Sequence, residues 1–219
     1  MDSQLLLYFC CISSAKPIHS GFAQIGALYD SMKNILLING DLFKTEATDF
    51  LIAAYANGAA EGNHQVRKIA IADQLFNFNR QFAHSYNAKL EMDLQAAWRQ
   101  MLWANHIVLF CPVFATHIPS KVSGFFERLF NQGEQTIHTL RAQGLHGRSA
   151  RIVSILDQRL FDDWLVEKKA NFMTIKKDVF KRVHINPVHS ATIGQLHELD
   201  NDYSQKWMIK LHGFGKKAI

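Results

Sequence analysis

With 219 residues, 48% of them hydrophobic and 20% charged in mixed sign, the chain is long enough for one well-buried domain and short for two. The net charge of +5 comes late, in Lys168-Lys169, Lys176-Lys177, Lys181-Arg182 and Lys206 to Lys217. There Glu167, Asp178, Asp200 and Asp202 dilute it and aromatics do not interleave in the way a single-strand binder needs, which argues against nucleic acid as a partner. Three cysteines, two of them adjacent (Cys10, Cys11), make neither a disulfide framework nor a C-x-x-C pair and point to a reducing, cytoplasmic compartment, and no apolar run nears the roughly 20 residues of a membrane span.

Residues 1–31 differ in character from the rest of the chain. Leu5 to Ile12 is apolar but lacks the basic flank of a signal peptide, and Met32-Lys33 sits directly before the first clear strand. The expected organisation is an N-terminal extension over 1–31 and a single domain over 32–219.

From Lys33 onward strands and helices alternate. Asn34–Ile38 reads as a buried strand. Thr45–Glu61 reads as an amphipathic helix, with Phe50, Leu51, Ala54, Tyr55 and Gly58 at helical spacing. His64–Ile71 is the second strand, and 73–90 has no clean period and reads as a long surface loop. Asp93 is the expected N-cap of a helix over 94–104, with Leu94, Ala97, Trp98 and Leu102 in its apolar stripe. Ile107–Cys111 is the third strand, with Pro112 marking its end, and a helix runs through Val122–Phe130. Its stripe of Phe125, Phe126, Leu129 and Phe130 reads as core or interface packing. After a polar stretch, Arg151–Leu156 is the fourth strand. A mostly helical 162–181, a fifth strand within 183–192 and a helix over 196–211 close the chain.

Five strands alternating with helices imply right-handed crossovers and a parallel sheet covered on both faces. The count favours the five-stranded flavodoxin-like order 2-1-3-4-5, and the lack of G-x-G-x-x-G after Ile38 argues against the six-stranded dinucleotide-binding one. In either, the ligand crevice lies outside the carboxyl ends of the strands, so the exits at Asn39-Gly40-Asp41 and Cys111-Pro112-Val113-Phe114 mark the expected site. Of the 11 histidines, His184, His189 and His197 lack i, i+4 pairing, and with no H-E-x-x-H or Cys/His cluster no metal site is expected.

Several segments, in register, resemble the flavodoxin-like NAD(P)H:quinone oxidoreductases. Lys33 to Gly40, Ala54-Tyr55-Ala56-Asn57-Gly58-Ala59 and Gly62 to Val66 resemble that family's opening. Ala104 to Leu109 is similar to its "A-D-x-I-V" strand, and Pro112-Val113 with Pro119 to its "P-L/V-W-W-x-x-x-P" flavin loop. Gly124 to Phe130 is similar to its "K-G-F/W-x-D-R-V-F" helix, and Gly147 to Ile152 to its "G-K-x-A" segment. The resemblance spans about residues 32–211. It implies FAD or FMN at the carboxyl ends of the first, third and fourth strands, with NAD(P)H as electron donor. It also implies a quinone-like acceptor and a homodimer with the acceptor pocket at its interface.

Carried over residue by residue, the resemblance assigns the cofactor to Thr45 and Thr48 (phosphate), Pro112, Val113, Phe114, Ala115 and Thr116 (ring), and Ser154 and Asp157 after the fourth strand. His117 becomes the candidate catalytic proton donor, and Trp164, Phe172 and Phe180 could cap an acceptor pocket. The departures are specific. Asp41 and Leu42 stand where the family has His and Pro, and Glu46 replaces the small hydroxyl residue that holds the cofactor phosphate. Phe114 and Ala115 replace two tryptophans, and Gly133-Glu134-Gln135-Thr136 replaces an aromatic "G-F-A-F/Y". A carboxylate at a helix N-terminus can satisfy the unpaired N–H groups itself and repel a phosphate. The same family includes ancillary subunits, so the alternative expectation is a non-catalytic regulatory module that has lost its flavin.

Overall fold

The computed structural model describes residues 32–78, 90–113, 118–130, 145–156, 179–180, 183–194 and 201–219. Five strands are present: β1 Asn34–Asn39, β2 Gln65–Ala70, β3 His106–Val113, β4 Ser149–Leu156 and β5 Val188–Gly194. They form one all-parallel sheet in the order β2-β1-β3-β4-β5, as expected from the alternation. The described helices are α1 Glu46–Glu61, α2 Met92–Trp103, α3 Ser120–Phe130 and α4 Asp202–Lys217, with a 3-10 turn at Ile71–Asp73.

Strand period places alternate side chains on opposite faces. Leu36, Ile38, Ile107, Leu109, Cys111 and Ile152 pack with Leu94, Ala97 and Met101 of α2 and Val122, Phe125 and Leu129 of α3. Ile35, Leu37, Val108, Phe110, Val153 and Ile193 pack on the other face with Leu51, Ile52 and Tyr55 of α1 and Leu211 of α4. Every residue of the central β3 is buried, whereas the edge strand β2 exposes Gln65, Arg67 and Lys68, charges that discourage pairing with another chain. Helices α1 and α4 approach through glycines. A Cβ on Gly58 would lie 2.0 Å from the His212 carbonyl oxygen, and one on Gly215 would lie 2.1 Å from that of Tyr55.

Two local expectations are corrected. Pro112 does not end its strand, because β3 continues to Val113. Gly40 donates its N–H to the Phe110 carbonyl, so Phe110 and, two residues on, Pro112 turn their backbone toward β1. Pairing with β1 stops at Phe110, and the missing proline N–H costs no ladder bond there. Asp93 is not the N-cap of α2. The helix begins at Met92 after Glu91, and the Asp93 carboxylate accepts from the Leu75 N–H at 2.7 Å instead. The described part of the expected surface loop, 74–78, is irregular and is tied back to Glu91. Asn77 N–H donates to Glu91 Oε1 at 3.1 Å, and Glu91 Oε2 accepts from the fully buried Arg128 at 2.6 Å.

The expected extension over 1–31, all but residues 179–180 of the helical 162–181, and much of the polar stretch before β4 lie outside the described residues. No helix among the described residues is long and apolar enough to cross a membrane.

Candidate functional site

In the order β2-β1-β3, successive crossovers leave β1 in opposite directions, so the carboxyl ends of β1 and β3 open the crevice where such sheets receive ligands. Gly40 brings the two ends together. Its N–H reaches the Phe110 carbonyl at 2.8 Å, and a Cβ there would sit 2.9 Å from the same oxygen.

The turn from β1 into α1 is organised by one carboxylate. Asp41, only 1% exposed, accepts the Phe43 N–H on Oδ1 at 2.9 Å, and the Thr45 N–H and hydroxyl on Oδ2 at 3.0 and 2.5 Å. Its own N–H donates to Asn39 Oδ1 at 2.8 Å. Thr45 is the N-cap of α1. Its hydroxyl oxygen accepts from the Thr48 N–H at 3.4 Å and lies 3.0 Å from the buried Thr48 hydroxyl. Between Asp41 and Thr45, Lys44 holds a left-handed φ of 52°, a conformation that costs a non-glycine residue about 1–2 kcal/mol and that the bonds on either side enforce. Burial alone would raise the Asp41 pKa. The bonds from Thr45, Phe43 and Thr48 outweigh it and hold the carboxyl below the ordinary aspartate value, so the group is charged at neutral pH.

Part of the donor set at the start of α1, the Phe43 and Thr45 amides and the Thr45 hydroxyl, is already satisfied from within. The residues therefore do not fit a phosphate there. A buried negative charge takes the Phe43 and Thr45 amides, Glu46 and Asp49 add two more carboxylates in the first helical turn, and the loop's own cation, Lys44, is turned to Asp73 in an ion pair. The sequence points to Glu46 as the carboxylate at this turn, but Glu46 is exposed, and it is Asp41 that accepts the Phe43 and Thr45 amides. The missed signal is the spacing Asp41-x-x-x-Thr45 directly after a strand-end glycine, in which Asp tends to bond backbone N–H groups a few residues on.

Of the other expected site residues, Pro112 and Val113 end β3 at the crevice and are buried. Ser154 lies two residues inside the end of β4, 3% exposed and in register with Cys111. Thr45 and Thr48 are brought together with Asp41, whereas Phe114, Ala115, Thr116, His117 and Asp157 fall outside the described residues, as do Trp164 and Phe172. Phe180 is fully buried in the core on the α2–α3 face, with its ring 6.2 Å from that of Phe126. Cys111, beside the crevice, is fully buried; desolvation, with a contribution from the Asp41 charge, pushes its thiol up to about 12, which rules out thiolate chemistry near neutral pH. Among the described residues no three His, Cys, Asp or Glu side chains gather as a metal site.

Structural comparison agrees with this fold. An NAD(P)H:quinone oxidoreductase from Methanothermobacter marburgensis is similar with a TM-score of 0.64 at 13% identity, over 84% of this chain and 95% of that one. An FMN-dependent NADH-azoreductase from Bacillus anthracis, solved with FMN, gives 0.61 at 16% identity, over 85% and 99%. An NADPH-quinone reductase from P. pentosaceus gives 0.54 at 15%, over 83% and 95%. At these identities the likeness is one of fold, to proteins that are themselves oxidoreductases. No curated protein matches the sequence. The model of the flavodoxin-like fold family matches residues 33–208, most of the chain, and the protein belongs to that family.

Proposed function

We propose that the chain is an oxidoreductase that takes electrons from NAD(P)H and passes them to a quinone-like acceptor, using FAD or FMN seated at the carboxyl ends of β1, β3 and β4. The observation that carries this reading is the switch-point crevice between β1 and β3, within a family match that runs from residue 33 to 208. A flavin would supply the hydride chemistry and the protein would supply position and electrostatics. The segment after Val113 (Phe114, Ala115, Thr116 and the candidate proton donor His117), together with Ser154 and Asp157, is where the ring contacts are assigned. A cytoplasmic homodimer completes the reading.

One observation favours a second reading, a regulatory module without flavin: the Asp41 carboxylate on the amides that a cofactor phosphate would require. Titrating the purified protein with FMN, FAD and riboflavin, with gel filtration and visible spectroscopy as the readout, separates the two. Retained flavin that NAD(P)H bleaches and a quinone restores supports the reductase. Failure to retain any flavin at high micromolar concentration rejects it in favour of the second reading.

A further inference from the structure

We propose that Asp41 is a specificity-determining residue that closes the β1–α1 turn to phosphate, so that the crevice takes ligands carrying no phosphate at this end. This goes beyond the assignment of a flavin and rests on the crevice reading only for which ligand is excluded; the closure itself is a property of the turn.

The geometry supports closure in three ways. The carboxylate is 1% exposed, so it is part of the folded turn and no surface group that an arriving anion could push aside at little cost. Two backbone amides and a hydroxyl already point at it, at 2.9, 3.0 and 2.5 Å. A phosphate drawing on these donors would have to break the bonds to Asp41 and then sit beside the charge it displaced. The cation that could offset that charge is committed elsewhere, since Lys44 pairs with Asp73, and Asn39 Nδ2 bonds Asp49 at 3.2 Å. Like charges a few ångströms apart in a partly desolvated pocket oppose binding strongly enough to cost an order of magnitude or more in affinity.

The test reads the amides directly. In 15N-labelled protein at constant ionic strength, inorganic phosphate is titrated into the wild type and into Asp41→Asn and Asp41→Ser, and the amide signals of Phe43, Thr45 and Thr48 are monitored. The wild-type signals stay put up to tens of millimolar phosphate. In at least one folded variant they move saturably, because the donors are free and the charge is gone. Saturable movement in the wild type overturns the proposal, and so does a failure of both folded variants to respond. If neither variant folds, the wild-type titration alone decides. A parallel titration with FMN and riboflavin keeps the two readings apart. The wild type should hold both with similar affinity, and the variants should gain roughly tenfold for FMN alone. Binding of neither flavin removes the reductase reading and leaves the phosphate result standing, whereas wild-type preference for FMN over riboflavin by more than about tenfold overturns closure.

Discussion

Thr45 gives both its backbone N–H and its hydroxyl to the same oxygen of Asp41, at 3.0 and 2.5 Å. The residue that caps α1 is thus itself held by the residue that leaves β1, and the loop between them is locked before any ligand arrives.

Removing that lock lowers stability in a pH-dependent way. Asp41→Ala costs about 1–3 kcal/mol at neutral pH, the range for removing an acceptor and leaving its donors unpaired. The folded-state pKa of Asp41 is depressed, so its contribution is complete above the unfolded value of 3.8 and fades as pH falls through the folded value. Urea unfolding of wild type and Asp41→Ala at pH 7 and near pH 3 should show a gap that narrows in acid. A gap that widens there contradicts the assignment.

His106, at the start of β3, predicts a second acid effect. Burial first, then the positive charges of Lys33 and Arg151 with smaller contributions from His189 and His64, pushes its imidazole down to about 3. The neutral ring is 2.7 Å from the Ser149 hydroxyl, while its Nε2 has no hydrogen-bond partner among the described residues. The unfolded chain protonates this group near 6.5 and the folded chain refuses the proton until about 3, so stability declines as pH drops between them, by up to about 1.4 kcal/mol per unit from this residue. His106→Gln should flatten that part of the stability–pH curve. An unchanged slope would show that the imidazole is not buried as described.

The pair between buried Arg128 and Glu91 ties α3 to the start of α2. Glu91→Ala leaves the guanidinium short of this carboxylate and should cost roughly 2–3 kcal/mol, below the 3–5 of a fully buried pair because Glu91 keeps some contact with water. Thermal unfolding checks this, and a shift no larger than that of a surface substitution would contradict it.

Gly215→Ala should destabilise by about 1–3 kcal/mol, because the new methyl meets the Tyr55 carbonyl of α1 and must drive the two helices apart. A neutral result by urea unfolding would mean that the helices are less closely packed than described.

The alternation of strands and helices, the strand order and the position of the crevice are legible in the sequence because apolar runs and their period report burial directly. The errors are local and share a cause: a side chain's partner lies elsewhere in the chain. Asp93 looks like a cap beside Leu94 but answers to Leu75, and Pro112 looks like a stop because nothing in the sequence says that the β1 ladder has already ended at Phe110. Glu46 occupies the expected position for a charge at the phosphate seat, yet Asp41, a turn earlier, reaches the amides. The family resemblance implies a phosphate seat at this turn, and only geometry shows which carboxylate takes its loop amides.

The most direct test of the account compares wild-type affinities for FMN and riboflavin, which differ by the phosphate alone, using flavin fluorescence at fixed ionic strength. Dissociation constants within about threefold of each other are the predicted result, since the Asp41 carboxylate denies the phosphate its donors. FMN held tighter by more than about tenfold would contradict it and show that the phosphate finds a grip at the start of α1 or elsewhere in the crevice.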